Sequence, residues 1–123
     1  MSRRFALLLH EHSEKPESRH QDLLLEMDLS LFALKISPPV ADFRRGFGAL
    51  RHFDHRKLYL DYEGPISGDR GFVVRIDGGE ILGRVSPEGF ELELRGSELC
   101  GHYRFEPIGK EGWRVMPLGK SPG

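Results

Sequence analysis

A chain of 123 residues, 38% of them hydrophobic and 30% charged, holds enough apolar material for the core of one domain and too much for a disordered segment. The net charge of −1 excludes the broad basic footprint of a protein that coats nucleic acid by charge alone. The lone cysteine, Cys100, excludes an intramolecular disulfide and a Cys-rich zinc motif, and a reducing cytoplasm is the expected home. The N-terminal run FALLLH is too short for a signal peptide or a membrane span, so a soluble protein is expected, with a monomer as the default.

In chain order, most segments carry strand signals. Residues 4–12 (RFALLLHEH), 20–27 (HQDLLLEM) and 31–36 (LFALKI) are short apolar runs with polar ends, the third stopped by Pro38 and Pro39. The segment 40–51, with Gly46, Gly48 and adjacent Arg44 and Arg45, is expected to be the one long loop, holding at most a helical turn. Residues 57–64 (KLYLDYEG) alternate as a strand would, with Tyr59 and Asp61 on one face and Leu58, Leu60 and Tyr62 on the other. Residues 71–76 and 80–85 flank Asp77-Gly78-Gly79, a hairpin signal. Residues 90–95 (FELELR) keep a strict period of two with Phe90, Leu92 and Leu94 inward, and 101–108 and 112–117 complete the series. Such spacing predicts an all-β fold, an antiparallel β-barrel of about eight strands with little helix over residues 1–117, and a flexible tail at 118–123.

Six histidines invite a search for chemistry. His10 ends the first predicted strand, and His20 opens the second after a polar loop with Pro16 at its middle. His20 and Asp22 share a face at spacing two. If the strands pair antiparallel, His10, His20 and Asp22 meet at one end of the sheet. Two imidazoles and a carboxylate form a three-ligand set with open positions, suited to Mn²⁺, Fe²⁺ or Zn²⁺. His12 points to the same side as His10 and competes with it, and the alternative for the whole set is a polar strand entrance. His55 and Tyr59 form a second candidate pair, able to donate a proton or a hydrogen bond to a phosphate; rim packing is the plainer role. Arg44, Arg45 and Arg51 could grip phosphate in bidentate fashion, or simply solvate a loop. His102, Trp113 and Cys100 read as structural, with His102 on an outer face.

Taken together, the ordered pieces resemble the 3′-phosphoesterase domain of bacterial DNA ligase D, and in particular its small stand-alone relatives, the DNA polymerase ligase N-terminal domain proteins. The pieces are 5-FALLLH-10, 20-HQDLLLE-26, 54-DHRKLYLDYEG-64, 73-VVRIDGG-79, 90-FELELRGSELCG-101 and Trp113, and the likeness runs from about Arg4 to Pro117. It implies a β-barrel with its active site in a crescent at one end. It implies a divalent metal, typically Mn²⁺ (or another such as Zn²⁺), on His10, His20 and Asp22, with His55 and Tyr59 at the phosphate. The implied reaction removes a 3′-terminal ribonucleoside or 3′-phosphate from DNA or DNA/RNA ends in repair, alongside a repair ligase or polymerase. Two departures bear on this. The family's arginine two residues after the motif aspartate is Leu24 here, and the basic residue before the Asp-His segment falls near Phe47. Loss of a phosphate-gripping arginine removes roughly 1.5–3 kcal/mol, about ten- to a hundredfold in rate. Arg44, Arg45 or Arg51 would have to substitute. The alternatives are an end-binding repair accessory without catalysis and a phosphoesterase for another substrate.

Overall fold

The computed structural model describes residues 2–119. Its strands are β1 (Arg3–Glu11), β2 (His20–Glu26), β3 (Leu31–Ile36), β4 (Phe47–His55), the short β5 (Gly64–Pro65), β6 (Phe72–Gly83), β7 (Phe90–Arg95), β8 (Cys100–Ile108) and β9 (Gly112–Pro117). Eight of them follow one another antiparallel in the order β1-β2-β3-β4-β9-β8-β7-β6, and β6 returns to β1 to close the barrel. Helix is confined to 3₁₀ turns at Pro16–Ser18, Phe43–Arg45 and Lys57–Leu60. The fold is thus the all-β antiparallel barrel that the strand spacing predicts. No helix among the described residues is long and apolar enough to cross a membrane. Of the expected tail, Leu118 donates its backbone N–H to the His102 carbonyl at 2.8 Å, and residues 120–123 lie outside the described residues.

Period-two alternation splits the apolar runs between two clusters. Phe5, Leu7, Leu23, Leu25, Phe32, Leu34 and Ile36 point into the barrel and meet Phe90, Leu92, Leu94, Phe105, Trp113 and Val115. Ala6, Leu8, Leu24, Leu31 and Ala33 lie on the outer face, yet they too are fully buried. They are covered by the segment after β4, through Leu60, Tyr59, Tyr62 and Ile66. Burial on both faces is why β1, β2 and β3 read as nearly continuous apolar runs. The cover is tied down by Arg4, whose guanidinium makes two hydrogen bonds to the Asp61 carboxylate at 2.9 and 3.0 Å, and by Arg75, which bonds the Leu60 carbonyl.

Three stretches depart from the sequence expectation. The second half of the expected 40–51 loop is strand β4, paired with β3 and β9. Its inward residues are few, Phe47 and Ala49, and Gly48 and the polar residues after Leu50 mask the period. The expected strand 57–64 is instead a 3₁₀ turn leading into two-residue β5. Leu58 is 45% exposed and Leu60 only 2%, so they do not share a face as alternation requires. The expected Asp77-Gly78-Gly79 hairpin is absent, because β6 runs straight through it. A register shift between Leu7 and Leu8 leaves Ile76 without a partner on β1, a bulge. The glycine at 79 answers to a close approach, since a Cβ there would stand 2.2 Å from the Arg95 carbonyl oxygen. Asp77 turns inward and accepts backbone N–H bonds from Gly78, Ser97, Glu98 and Leu99 at 2.7–2.9 Å, locking the β7–β8 connection.

Candidate metal centre

The pairing of β1 with β2 sets His10 opposite His20 and Leu8 opposite Asp22. All three polar residues stand on the outer face, in line with the buried outer cluster, at the end of the sheet that the segment 57–66 leaves open. One donor atom from each of His10, His20 and Asp22 lies within 4.8 Å of the others, and the two imidazole rings are 4.7 Å apart. His12, the competitor of His10, stands apart: its Nε2 bonds the Asp69 carbonyl at 2.9 Å and its Nδ1 accepts the Glu14 N–H at 3.1 Å.

Backbone carbonyls orient both rings. His20 Nδ1–H donates to the Ser18 carbonyl at 2.8 Å, and His10 Nε2–H donates to the Arg70 carbonyl at 2.6 Å. In the neutral tautomers this assigns, His20 Nε2 and His10 Nδ1 carry lone pairs. They face Asp22 oxygens at 3.2 and 3.5 Å. Asp22 is 4% exposed, and its Oδ1 has no hydrogen-bond partner. Nitrogen lone pairs opposed to a buried carboxylate repel, and a cation between them, a proton or a metal ion, relieves the repulsion. The donor set and its outer support therefore fit a divalent transition metal.

The charge balance has the same character. Burial pushes the Asp22 carboxyl up, but attraction to His10 and His20 outweighs it and holds the group well below the usual carboxylate range. The Asp22 carboxylate in turn raises His10, against desolvation and the charge of Lys35, the cross-strand neighbour of Asp22 on β3.

These ligand atoms open onto a cavity of about 410 Å³ that is also lined by His52, Phe53, His55, Arg56, Tyr59 and Arg70. His55 and Tyr59 are brought together by the 3₁₀ turn between them, with ring centroids 5.9 Å apart, edge to face. His55 Nδ1–H donates to the Phe53 carbonyl at 2.9 Å, which leaves Nε2 free of that bond. His52 carries no role in the sequence reading; it reaches the cavity because β4 pairs it with Ala33 on the outer face. Its Nδ1 is buried without a partner, and burial lowers its pKa. Only knowledge of strand β4 could have singled it out.

The three arginines do not converge here. Arg44 and Arg45 are exposed and turn to Asp42, at 3.0 and 4.0 Å. Arg51 lies 3.7 Å over the Phe32 ring, bonds Asp54 at 2.6 Å and borders a second cavity with Trp113. The cations at the first cavity are Arg56 and Arg70. Leu24 is sealed in the outer apolar cluster, and Phe47 lies in the barrel core. Trp113 is a core residue, His102 stands outside beside Glu93 at 3.3 Å, and Cys100 is exposed, outside the core.

No protein-family model matches the chain, and no curated protein matches it.

Proposed function

We propose that the protein is a divalent-metal-dependent phosphoesterase that removes 3′-terminal ribonucleoside or 3′-phosphate groups from nucleic-acid ends, with Mn²⁺ or Zn²⁺ on His10, His20 and Asp22. One observation carries this reading. Buried Asp22 turns its unpartnered Oδ1 to His20 Nε2 and its Oδ2 to His10 Nδ1, on imidazoles whose ring protons are held elsewhere, in the cavity that His55 and Tyr59 also line. The nucleic-acid substrate, the place in DNA repair beside a ligase or polymerase, and the cytoplasmic setting rest on the ordered motifs that resemble the ligase D domain.

A divalent cation bound there would supply Lewis acidity, drawing charge from a phosphate oxygen and easing attack on phosphorus. The chain's own residues do the rest. The Ser18 and Arg70 carbonyls hold the imidazoles in one tautomer. The Tyr59 hydroxyl donates to a phosphate oxygen and its developing charge, and His55 joins it through Nε2–H when the ring is the imidazolium, Nδ1–H being held by the Phe53 carbonyl. Arg56 and Arg70 supply positive charge at the cavity wall, a part the sequence assigns to Arg44, Arg45 or Arg51. The test is an end-healing assay with Mn²⁺ on a primer-template ending in a 3′-phosphate or a single 3′-ribonucleotide. Wild type turns over, and His20→Ala loses more than about a hundredfold. Equal Mn²⁺ affinity in His20→Ala overturns the ligand assignment.

Leu24, sealed in apolar surroundings at the position of the family arginine, favours a second reading: an end-binding accessory without catalysis. Its signature is salt-sensitive binding of DNA ends without turnover. Turnover of small phosphoesters in place of DNA ends would point to a different substrate.

A further inference from the structure

Phe53 stands at the rim of the cavity with 66% of its surface exposed. Its ring is stacked on His55, with centroids 5.0 Å apart and planes 16° from parallel, and leans on His52 at 4.3 Å. The His55 Nδ1–H bond to the Phe53 backbone carbonyl holds the imidazole against which the ring stacks. The chain neighbours His52, Asp54, His55 and Arg56 are all polar, and the cavity beside the ring is lined by the metal cluster together with Leu8, Tyr59, Ile66 and Val73. An accessible π-face backed by two imidazoles at the mouth of a cavity suits a small planar ligand.

Its position relative to the cluster defines the ligand further. From β2, which carries His20 and Asp22, to β4, which carries Phe53, the path crosses β3. Across from Asp22 stand Lys35 on β3 and Leu50 on β4, so Phe53 lies two strands over and three residues along, roughly 14 Å between backbones, and side chains from both ends line one cavity that a nucleotide can span from phosphate to base. Arg56, which forms no salt bridge among the described residues, lines the cavity beside the ring.

We propose that Phe53 is a stacking platform for the nucleobase of the substrate's terminal nucleotide, so that the site prefers base-bearing ends to bare phosphate esters. This rests on the phosphoesterase reading of the same cavity. Every base has a π-face, so the platform discriminates little among sequences but strongly against a missing base.

The test uses the full chain with Mn²⁺ and a single-stranded DNA oligonucleotide ending in a 3′-phosphate. In one probe the last base is 2-aminopurine; in the other the last position is abasic. Wild type binds the base-bearing end about five- to a hundredfold more tightly and quenches the 2-aminopurine fluorescence. Phe53→Ala loses both the margin and the quench, and Phe53→Tyr keeps both. A margin and quench unchanged in Phe53→Ala, or absent in wild type, overturn the platform. Turnover of the 3′-phosphate is followed in parallel. Turnover by wild type with an unchanged Phe53→Ala margin defeats the platform alone. A margin lost in Phe53→Ala, with no turnover by wild type, defeats the phosphoesterase reading alone.

Discussion

Asp22 and Asp77 are both buried carboxylates, 4% and 8% exposed, on the two strands that flank β1. Their surroundings differ. Asp77 is satisfied within the chain, its oxygens taking four backbone N–H bonds that shape the turn before β8. Asp22 has one oxygen without a partner and two imidazoles beside it. Burial alone therefore does not mark a functional carboxylate; unmet hydrogen-bonding capacity aimed at other potential ligands does.

The largest expected effect tests the structural half of that contrast. Asp77→Ala removes four charge-assisted bonds and strands the Leu99 N–H indoors, so denaturant unfolding should show a loss of about 4 kcal/mol or more. Asp22→Asn should cost the metal-free fold far less, and equal losses would erase the distinction. Next comes affinity: Asp22→Asn should weaken Mn²⁺ or Zn²⁺ binding by more than about a hundredfold in calorimetry, with Asp77 untouched as its control. Metal at a hundred times its Kd should stabilise wild type by about 2.7 kcal/mol in thermal melts. A chelator should reverse the shift, and Asp22→Asn should not show it.

A smaller effect follows pH. Metal must displace the proton that Asp22 favours on His10, so affinity should fall about tenfold per unit as pH drops below the raised His10 value. In metal-free protein the signs run oppositely for the two groups. His10 lies above its ordinary 6.5, so its contribution is full below 6.5 and is lost as pH rises through the folded value. Asp22 lies below its ordinary 3.8, so its contribution is full above 3.8 and is lost as pH falls through the folded value. Melts across pH should show the pair's contribution greatest between 3.8 and 6.5, with the alkaline decline flattened in His10→Gln. The smallest effect is at the surface. Arg44→Gln and Arg45→Gln should change stability by less than about 0.5 kcal/mol and leave metal affinity alone; a large loss of affinity would return these arginines to the site.

The amino-acid sequence by itself determined the barrel class and the strands whose pattern is local: the runs of β1, β2 and β3, and the strict alternation of β7. It also made antiparallel pairing of β1 and β2 across a short polar loop the simple outcome, which brings His20 and Asp22 to either His10 or His12. Only the tertiary structure decided the rest. It chose His10 over His12, made one strand of the segment around Asp77, and found β4, whose pairing delivers His52, Phe53 and His55. It also folded residues 57–66 into a cover that seals Leu24 and sets Tyr59 beside His55, and it turned Arg51 toward Phe32. The physical reason is range. Alternation and turn chemistry act within a few residues. Register between distant strands, and which sheet face is covered, depend on contacts such as Arg4 with Asp61 and Asp77 with Leu99, which no local window contains.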